Sequence, residues 1–181
     1  NKQESSDMSK TIEFYFDFGS PTAYLAYKRL EQLKQQYNCS ISFLPVLLGG
    51  IFKATGNTSP VAIPAKGKYM LQHDLPRFAQ RYGVPLNFNP HFPINTLNLM
   101  RGAIAAQRLG CLEAYTSAMY DAVWVKQLDM GDLEVIRQAL LDAGLDADAL
   151  LALSQEPDVK AELISNTEQA VERGVFGAPT F

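Results

Sequence analysis

The residue best placed to do chemistry is Ser20, in the segment FDFGSPTAY. It stands where an alternating, aromatic-rich run ends and a helical pattern begins, and in a parallel sheet that is the edge at which ligands collect. Unpaired N–H groups and the positive end of a helix dipole favour an anion there, such as a thiolate or a carboxylate. A serine hydroxyl can donate a hydrogen bond to that anion and lower its proton affinity. Serine is also a good helix N-cap, and the two roles can coexist. Asn57 and Lys66 lie in a Gly/Pro-rich stretch and supply an amide and a cation; each taken singly also reads as plain surface. Ala178-Pro179 precedes a final short extended run, and an X-Pro bond is trans by default. Tyr15, Tyr69, Tyr82 and Trp124 are candidate pocket walls that would be equally at home in a core. Asp17 reads as a surface or rim carboxylate. His73 and His91 lack metal-ligand spacing, and no metal site is expected.

The elements that must position these residues follow from periodicity. Thr11 to Phe18 (TIEFYFDF) sets Ile12, Phe14, Phe16 and Phe18 against Glu13, Tyr15 and Asp17, the period of two of a strand. Pro21 suits a first helical turn, and the apolar residues Tyr24, Leu25, Tyr27, Leu30 and Leu33 carry a helix to about Tyr37. Ser40 to Leu48 is a second, largely apolar strand, as a parallel strand covered on both faces would be. The stretch from Gly49 to Gly67 is too long for a tight turn and reads as a functional loop. Helical patterns follow over Lys68–Arg81, Asn95–Leu109, Leu112–Val125, Asp132–Ala143, Asp146–Leu153 and Pro157–Arg173, with Asp132 and Asp146 as caps. Val175 to Phe181 reads as a turn entering a strand.

Composition narrows the partners. The chain has 181 residues, 16 Lys and Arg against 19 Asp and Glu, and a net charge of −3. That balance argues against nucleic acid, which needs clustered cations. The one small basic group, Lys66, Lys68, Arg77 and Arg81, reads as solvated surface. No apolar run reaches the ~20 residues that cross a bilayer, so no membrane partner is expected. Asn1 to Asp7 read as a polar leader ahead of the fold. Cys39 and Cys111 are isolated and form no CxxC, which leaves neither a zinc site nor a dithiol centre and points to a reducing, cytoplasmic setting.

Four separated segments, FYFDFGSPTAYLAY (14–27), LLGGIFKATGN (47–57), PAKGKYM (64–70) and GVFGAPTF (174–181), are together similar to the 2-hydroxychromene-2-carboxylate isomerases. Those enzymes stand with the kappa-class glutathione transferases and, more distantly, the DsbA-type disulfide oxidoreductases. The resemblance runs from about Lys10 to Phe181. It implies an α/β, thioredoxin-like fold with a helical domain inserted between its βαβ and ββα halves: residues 10–60, then the insert at 61–155, then the start of the second half at 156–181. The last strand and helix of that fold, with part of the glutathione site, are expected beyond Phe181. The redox pair of the fold would fall at Ser20-Pro21-Thr22-Ala23, where neither end is cysteine.

The resemblance also implies glutathione as cofactor. Ser20 would face its sulfur, Asn57 and Lys66 would contact it from the loop, and the backbone of Ala178, before a cis Pro179, would pair with its peptide part. The implied activity is a glutathione-dependent isomerisation between 2-hydroxychromene-2-carboxylate and trans-o-hydroxybenzylidenepyruvate, a step of aromatic catabolism. Ser20 is the catalytic residue in this reading. Lys53 or Asn57 would hold the carboxylate of the small aromatic substrate, with Tyr82 and Trp124 as walls. A homodimer is implied as well. Two alternatives stay open: a kappa-like glutathione transferase, and a non-catalytic thioredoxin-like binding module in which Ser20 only caps its helix.

Overall fold

A computed structural model describes residues 10–181. The leader expected at Asn1 to Asp7 lies outside the described residues. The fold starts from a parallel pair, β1 (Lys10–Phe16) and β2 (Cys39–Pro45), in register from Lys10 opposite Cys39 to Phe16 opposite Pro45. The helix α1 (Pro21–Gln36) connects them. On the other side of β1, Tyr15 and Thr180 exchange backbone hydrogen bonds of 2.9 and 3.3 Å as an antiparallel bridge. β1 is therefore flanked on both edges, and the turn of residues 174–181 is brought beside the start of α1.

The alternation in β1 produces two buried faces rather than one wet face. Phe14 and Phe16 and, just past the strand, Phe18 are fully buried on one side; Tyr15 and Asp17 are buried on the other. The first set joins an aromatic cluster around Tyr120, whose ring lies 4.7 Å from Phe18 and 5.1 Å from Tyr27 of α1. Tyr120 belongs to α6 (Leu112–Trp124), so this cluster welds the sheet to the helical part of the chain. Asp17, expected on the surface or rim, is 1% exposed because the second face of β1 is also covered.

The stretch expected as a long loop is mostly helical. It forms α2 (Leu48–Thr55), a 3-10 turn (Pro60–Ala62) and α3 (Pro64–Tyr69). The physical reason lies in what its glycines do. A Cβ on Gly50 would meet Thr167 Cγ2 at 3.2 Å, and one on Gly67 would meet the Val61 carbonyl oxygen at 2.6 Å. Gly50 lets the Thr167 side chain approach and Gly67 lets the Val61 backbone approach, and neither breaks the chain into loop.

A π-helical segment (Met70–Asp74) leads into α4 (Leu75–Tyr82). Then come α5 (Leu97–Arg108), α6, α7 (Leu133–Asp142), α8 (Ala147–Ser154) and α9 (Pro157–Glu172), close to the bounds read from periodicity. Asp132 and Asp146 cap as expected, accepting from Glu134 N at 2.8 Å and Ala149 N at 3.1 Å. No helix among the described residues is long and apolar enough to cross a membrane.

The helix α5 follows directly on the 92–96 wall of the site and is held by close packing on α6. Tyr115 donates to the Leu99 carbonyl at 2.7 Å, and a Cβ on Gly102 would sit 2.1 Å from the Tyr115 hydroxyl. Gly102→Ala is therefore expected to destabilise the chain by about 1–3 kcal/mol, through displacement of a buried ring. Urea unfolding of the two proteins measures the difference.

Candidate active site

A cleft of about 970 Å³ is bounded by the start of α1, α2, the 57–66 segment, residues 92–96 and the 176–180 turn. Its lining includes Ser20, Asn57, Lys66, Ala178 and Pro179. The structure thus brings together five residues that the sequence scatters over 160 positions, counting from Ser20 to Pro179 inclusive. The Ala178-Pro179 bond is cis, as is Phe92-Pro93 on the facing wall.

Ser20 occupies the N-cap of α1 and is 3% exposed. Its Oγ accepts from Ala23 N at 3.1 Å, donates to the Ala178 carbonyl at 2.9 Å and lies 3.0 Å from Thr22 Oγ1. The capping role and a place in the cleft coexist in one side chain. Pro21 carries no N–H, and Thr22 N–H, in the first turn of α1, meets no acceptor among the described residues. That donor faces the region where the helix dipole favours negative charge. Asn57 is tied across the cleft mouth, its Nδ2 donating to the Phe176 carbonyl at 2.7 Å. Lys66 is exposed on α3.

Beneath Ser20 sits Asp17. Its Oδ1 accepts from Gly19 N at 2.9 Å, and its Oδ2 accepts from Leu48 N, the first amide of α2, at 2.8 Å. The Thr96 side chain, just ahead of α5, also favours the ionised carboxylate. Burial pushes the Asp17 carboxyl above its ordinary value of 3.8, and its interactions with Gly19, Leu48 and Thr96 pull the other way. Composition gave this residue no special place. The signal lay in local order, an aspartate two residues ahead of a glycine at a strand end, where its side chain can close a turn on the backbone.

Three residues expected at the substrate are placed elsewhere. Trp124 is fully buried; its Nε1 donates to the Phe18 carbonyl at 2.8 Å, and its ring backs Phe92 at 6.3 Å. It supports the wall from behind and cannot touch a ligand. Tyr82 ends α4 against Phe78 and under the guanidinium of Arg29, away from the cleft. Lys53 is one residue past Phe52, and a helical step of roughly 100° turns it to a second groove of about 730 Å³ between α2, α5 and α9. The apolar lining of the cleft comes instead from Phe52, Met70, Phe92, Ile94 and Phe176, with Thr22 and Thr96 as added hydroxyls. Helical spacing would have found Phe52, which lies one turn beyond Leu48 and Gly49 on the same helix.

The family model of the DSBA-like thioredoxin domain matches residues 11–181. The chain belongs to that family. Its relatives include the 2-hydroxychromene-2-carboxylate isomerase of Sphingobium xenophagum, 38% identical over 95% of this chain and 88% of that protein. Another is glutathione S-transferase kappa 1 of Rattus norvegicus, 29% identical over 94% of this chain and 80% of that one. A solved structure of a 2-hydroxychromene-2-carboxylate isomerase superposes with a TM-score of 0.82 at 32% identity, over 94% of this chain and 83% of its own.

The Ser20-Pro21-Thr22-Ala23 turn that opens α1 carries no cysteine. Thiol–disulfide exchange needs an attacking thiolate and a partner sulfur. The two cysteines, Cys39 and Cys111, are free and neither lines the cleft. The group that Ser20 brings to the cleft is a hydroxyl, and no cysteine stands beside it.

The environment of Asp17 fixes a sign for stability against pH. Its folded-state proton affinity is raised, so the folded chain binds more protons than the unfolded chain above 3.8. The contribution is full below that value and is lost as pH rises through the raised folded value. Unfolding free energies of the wild type and of Asp17→Asn, measured by urea titration across that window, are expected to differ by an amount that grows with pH at the wild type's expense.

Proposed function

We propose that the chain is a glutathione-dependent isomerase that interconverts 2-hydroxychromene-2-carboxylate and trans-o-hydroxybenzylidenepyruvate. One observation carries this reading: Ser20 Oγ, at the N-terminus of α1, lies 2.9 Å from the carbonyl that precedes cis Pro179, inside a cleft with an apolar wall. The isomerase relatives support the reaction class, and the kappa transferase relative supports the thiol.

The donor set fits a thiol peptide with an anionic sulfur. Thr22 N–H is unpaired among the described residues, the Ser20 hydroxyl is at hand, and Lys66 supplies a cation at the mouth. Ala178 lines the same cleft and would meet the peptide part of the ligand through its backbone. Bound glutathione supplies a nucleophilic thiol that is regenerated within the cycle. The chain's own part is to favour the thiolate through the α1 N-terminus and a hydroxyl donor, and to seat the substrate beside it.

Phe52, Met70, Phe92 and Ile94 form the apolar face that receives an aromatic ring, and burial of that ring turns the reacting carbons toward Ser20. Asn57 and Lys66 are the polar partners available to carboxylates at the mouth. The same cleft also suits a transferase of the kappa kind, in which the sulfur stays on its electrophile.

The test is ultraviolet absorbance of 2-hydroxychromene-2-carboxylate with the protein, with and without glutathione, together with a thiol count. Acceleration only with glutathione and full thiol recovery is the expected result. Thiol loss in step with turnover marks the transferase, and absence of both binding and acceleration marks a non-catalytic module. Ser20→Ala is expected to lower kcat/KM by roughly 10- to 100-fold with little change in fold, and unchanged kinetics would remove Ser20 from the mechanism.

A further inference from the structure

Ser20 has no spare hydrogen-bonding capacity. Its single proton goes to the Ala178 carbonyl at 2.9 Å, since a carbonyl can only accept. One lone pair is taken by Ala23 N–H at 3.1 Å. The second faces Thr22 Oγ1 at 3.0 Å, and because the Ser20 proton is already committed, the Thr22 hydroxyl is the donor in that contact. A serine saturated in this way can donate to a ligand sulfur only by abandoning the Ala178 carbonyl, an acceptor in the part-buried wall of the cleft. Leaving that oxygen without a partner would cost about as much as the new bond contributes. Thr22 Oγ1 already lies 3.5 Å from the same carbonyl, at the long limit of a hydrogen bond.

We propose that Thr22 is a positioning residue that acts through Ser20: its hydroxyl turns from Ser20 Oγ to the Ala178 carbonyl as Ser20 turns its proton to the sulfur of bound glutathione. The inference rests on the reading of the site as a glutathione thiolate site. The number of hydrogen bonds is conserved through the exchange: Ser20 moves one donor to sulfur, Thr22 moves one donor to the carbonyl, and Ala23 N–H keeps its cap. No proton leaves either hydroxyl. Two neighbouring hydroxyls on one turn of α1 thus let a buried serine serve a ligand without orphaning the backbone that flanks Pro179. Thr22 N–H, unpaired among the described residues, adds a second donor on the same side.

The test compares the wild type with Thr22→Val, which keeps the shape and removes the hydroxyl, Thr22→Ser, which restores it, and Ser20→Ala. Binding of glutathione and of S-methylglutathione, which has no ionisable thiol, is measured by calorimetry, and thiolate formation by ultraviolet absorbance against pH. Thr22→Val is expected to bind glutathione about 3- to 10-fold more weakly at neutral pH and to form thiolate only at higher pH. It should bind S-methylglutathione as the wild type does, and Thr22→Ser should recover both properties. An unchanged thiolate midpoint in Thr22→Val, or equal weakening for both ligands, overturns the role. If Ser20→Ala raises the midpoint while Thr22→Val leaves it in place, Thr22 alone falls; if the wild type binds neither ligand, the glutathione reading falls with it.

Discussion

The site depends on one buried carboxylate. Asp17 takes hydrogen bonds from the backbone just ahead of α1 and from the first amide of α2, and the threonine ahead of α5 also favours its charge, so three helices begin around a single side chain. Each of those N-termini carries unsatisfied N–H groups and a partial positive charge, and a carboxylate among them satisfies donors that would otherwise be buried without partners. Its burial at 1% exposure is tolerable for that reason, since an unpaired charge there would be prohibitive. Gly19 belongs to the same arrangement. A Cβ at that position would press on Thr96 Cγ2 at 3.1 Å and on Asp17 Oδ1 at 3.4 Å, so the approach that closes this knot needs a residue without one. The direction of α1, and with it the aim of Ser20, is set by this contact.

A second consequence concerns α2, which is eight residues long and works on both of its sides. Leu48, Gly49 and Phe52 face the cleft, whereas Leu47, Gly50 and Lys53 face the groove toward α9. The helix is pinned at its start from both directions: Asp17 accepts from Leu48 N, and Thr167 Oγ1 accepts from Leu47 N at 3.0 Å. Thr167 also donates to the Leu163 carbonyl at 2.8 Å, which fixes its hydroxyl proton and leaves its lone pairs for the α2 backbone. The wall that carries Phe52 is therefore rigid at its base, and its far end is held by the Asn57 link to the 174–181 turn.

How much of this was legible in the sequence depends on whether a residue's role is local. The cap at Ser20, the caps at Asp132 and Asp146 and the helices they open are decided within a few residues, and composition with periodicity located them. The five cleft residues came from separated motifs read together, because no local rule links Ser20 to Asn57 or to Ala178. The failures share a cause. Asp17 looked like a rim carboxylate because alternation in β1 was read as one dry and one wet face, and only the packing of the sheet shows both to be covered. Gly50 and Gly67 looked like loop residues because a glycine that admits a close neighbour is indistinguishable in sequence from one that turns the chain. Trp124 and Tyr82 were offered as walls on residue type, yet whether a ring lines a cleft or backs it is settled by which side chain stands in front, here Phe92 in the case of Trp124.

The electrostatics of the cleft bear on what a hydroxyl at position 20 is suited to do. The α1 N-terminus favours an anion on its axis, and Lys66 adds positive charge at the mouth; Asp17, in the same floor, works against that anion to the extent that it is ionised. Burial raises the proton affinity of Asp17, which weakens the opposition without removing the hydrogen bonds that organise the three helices. A cysteine at position 20 in such a field would be a reactive thiolate of the chain itself. Serine leaves the field without a fixed anion, so the stabilisation built into the α1 terminus is available to a thiolate or carboxylate that arrives with a ligand. The serine hydroxyl and the anion-favouring geometry around it are in this sense one feature: the α1 terminus carries no anionic side chain of its own at position 20 and is open to a ligand's anion.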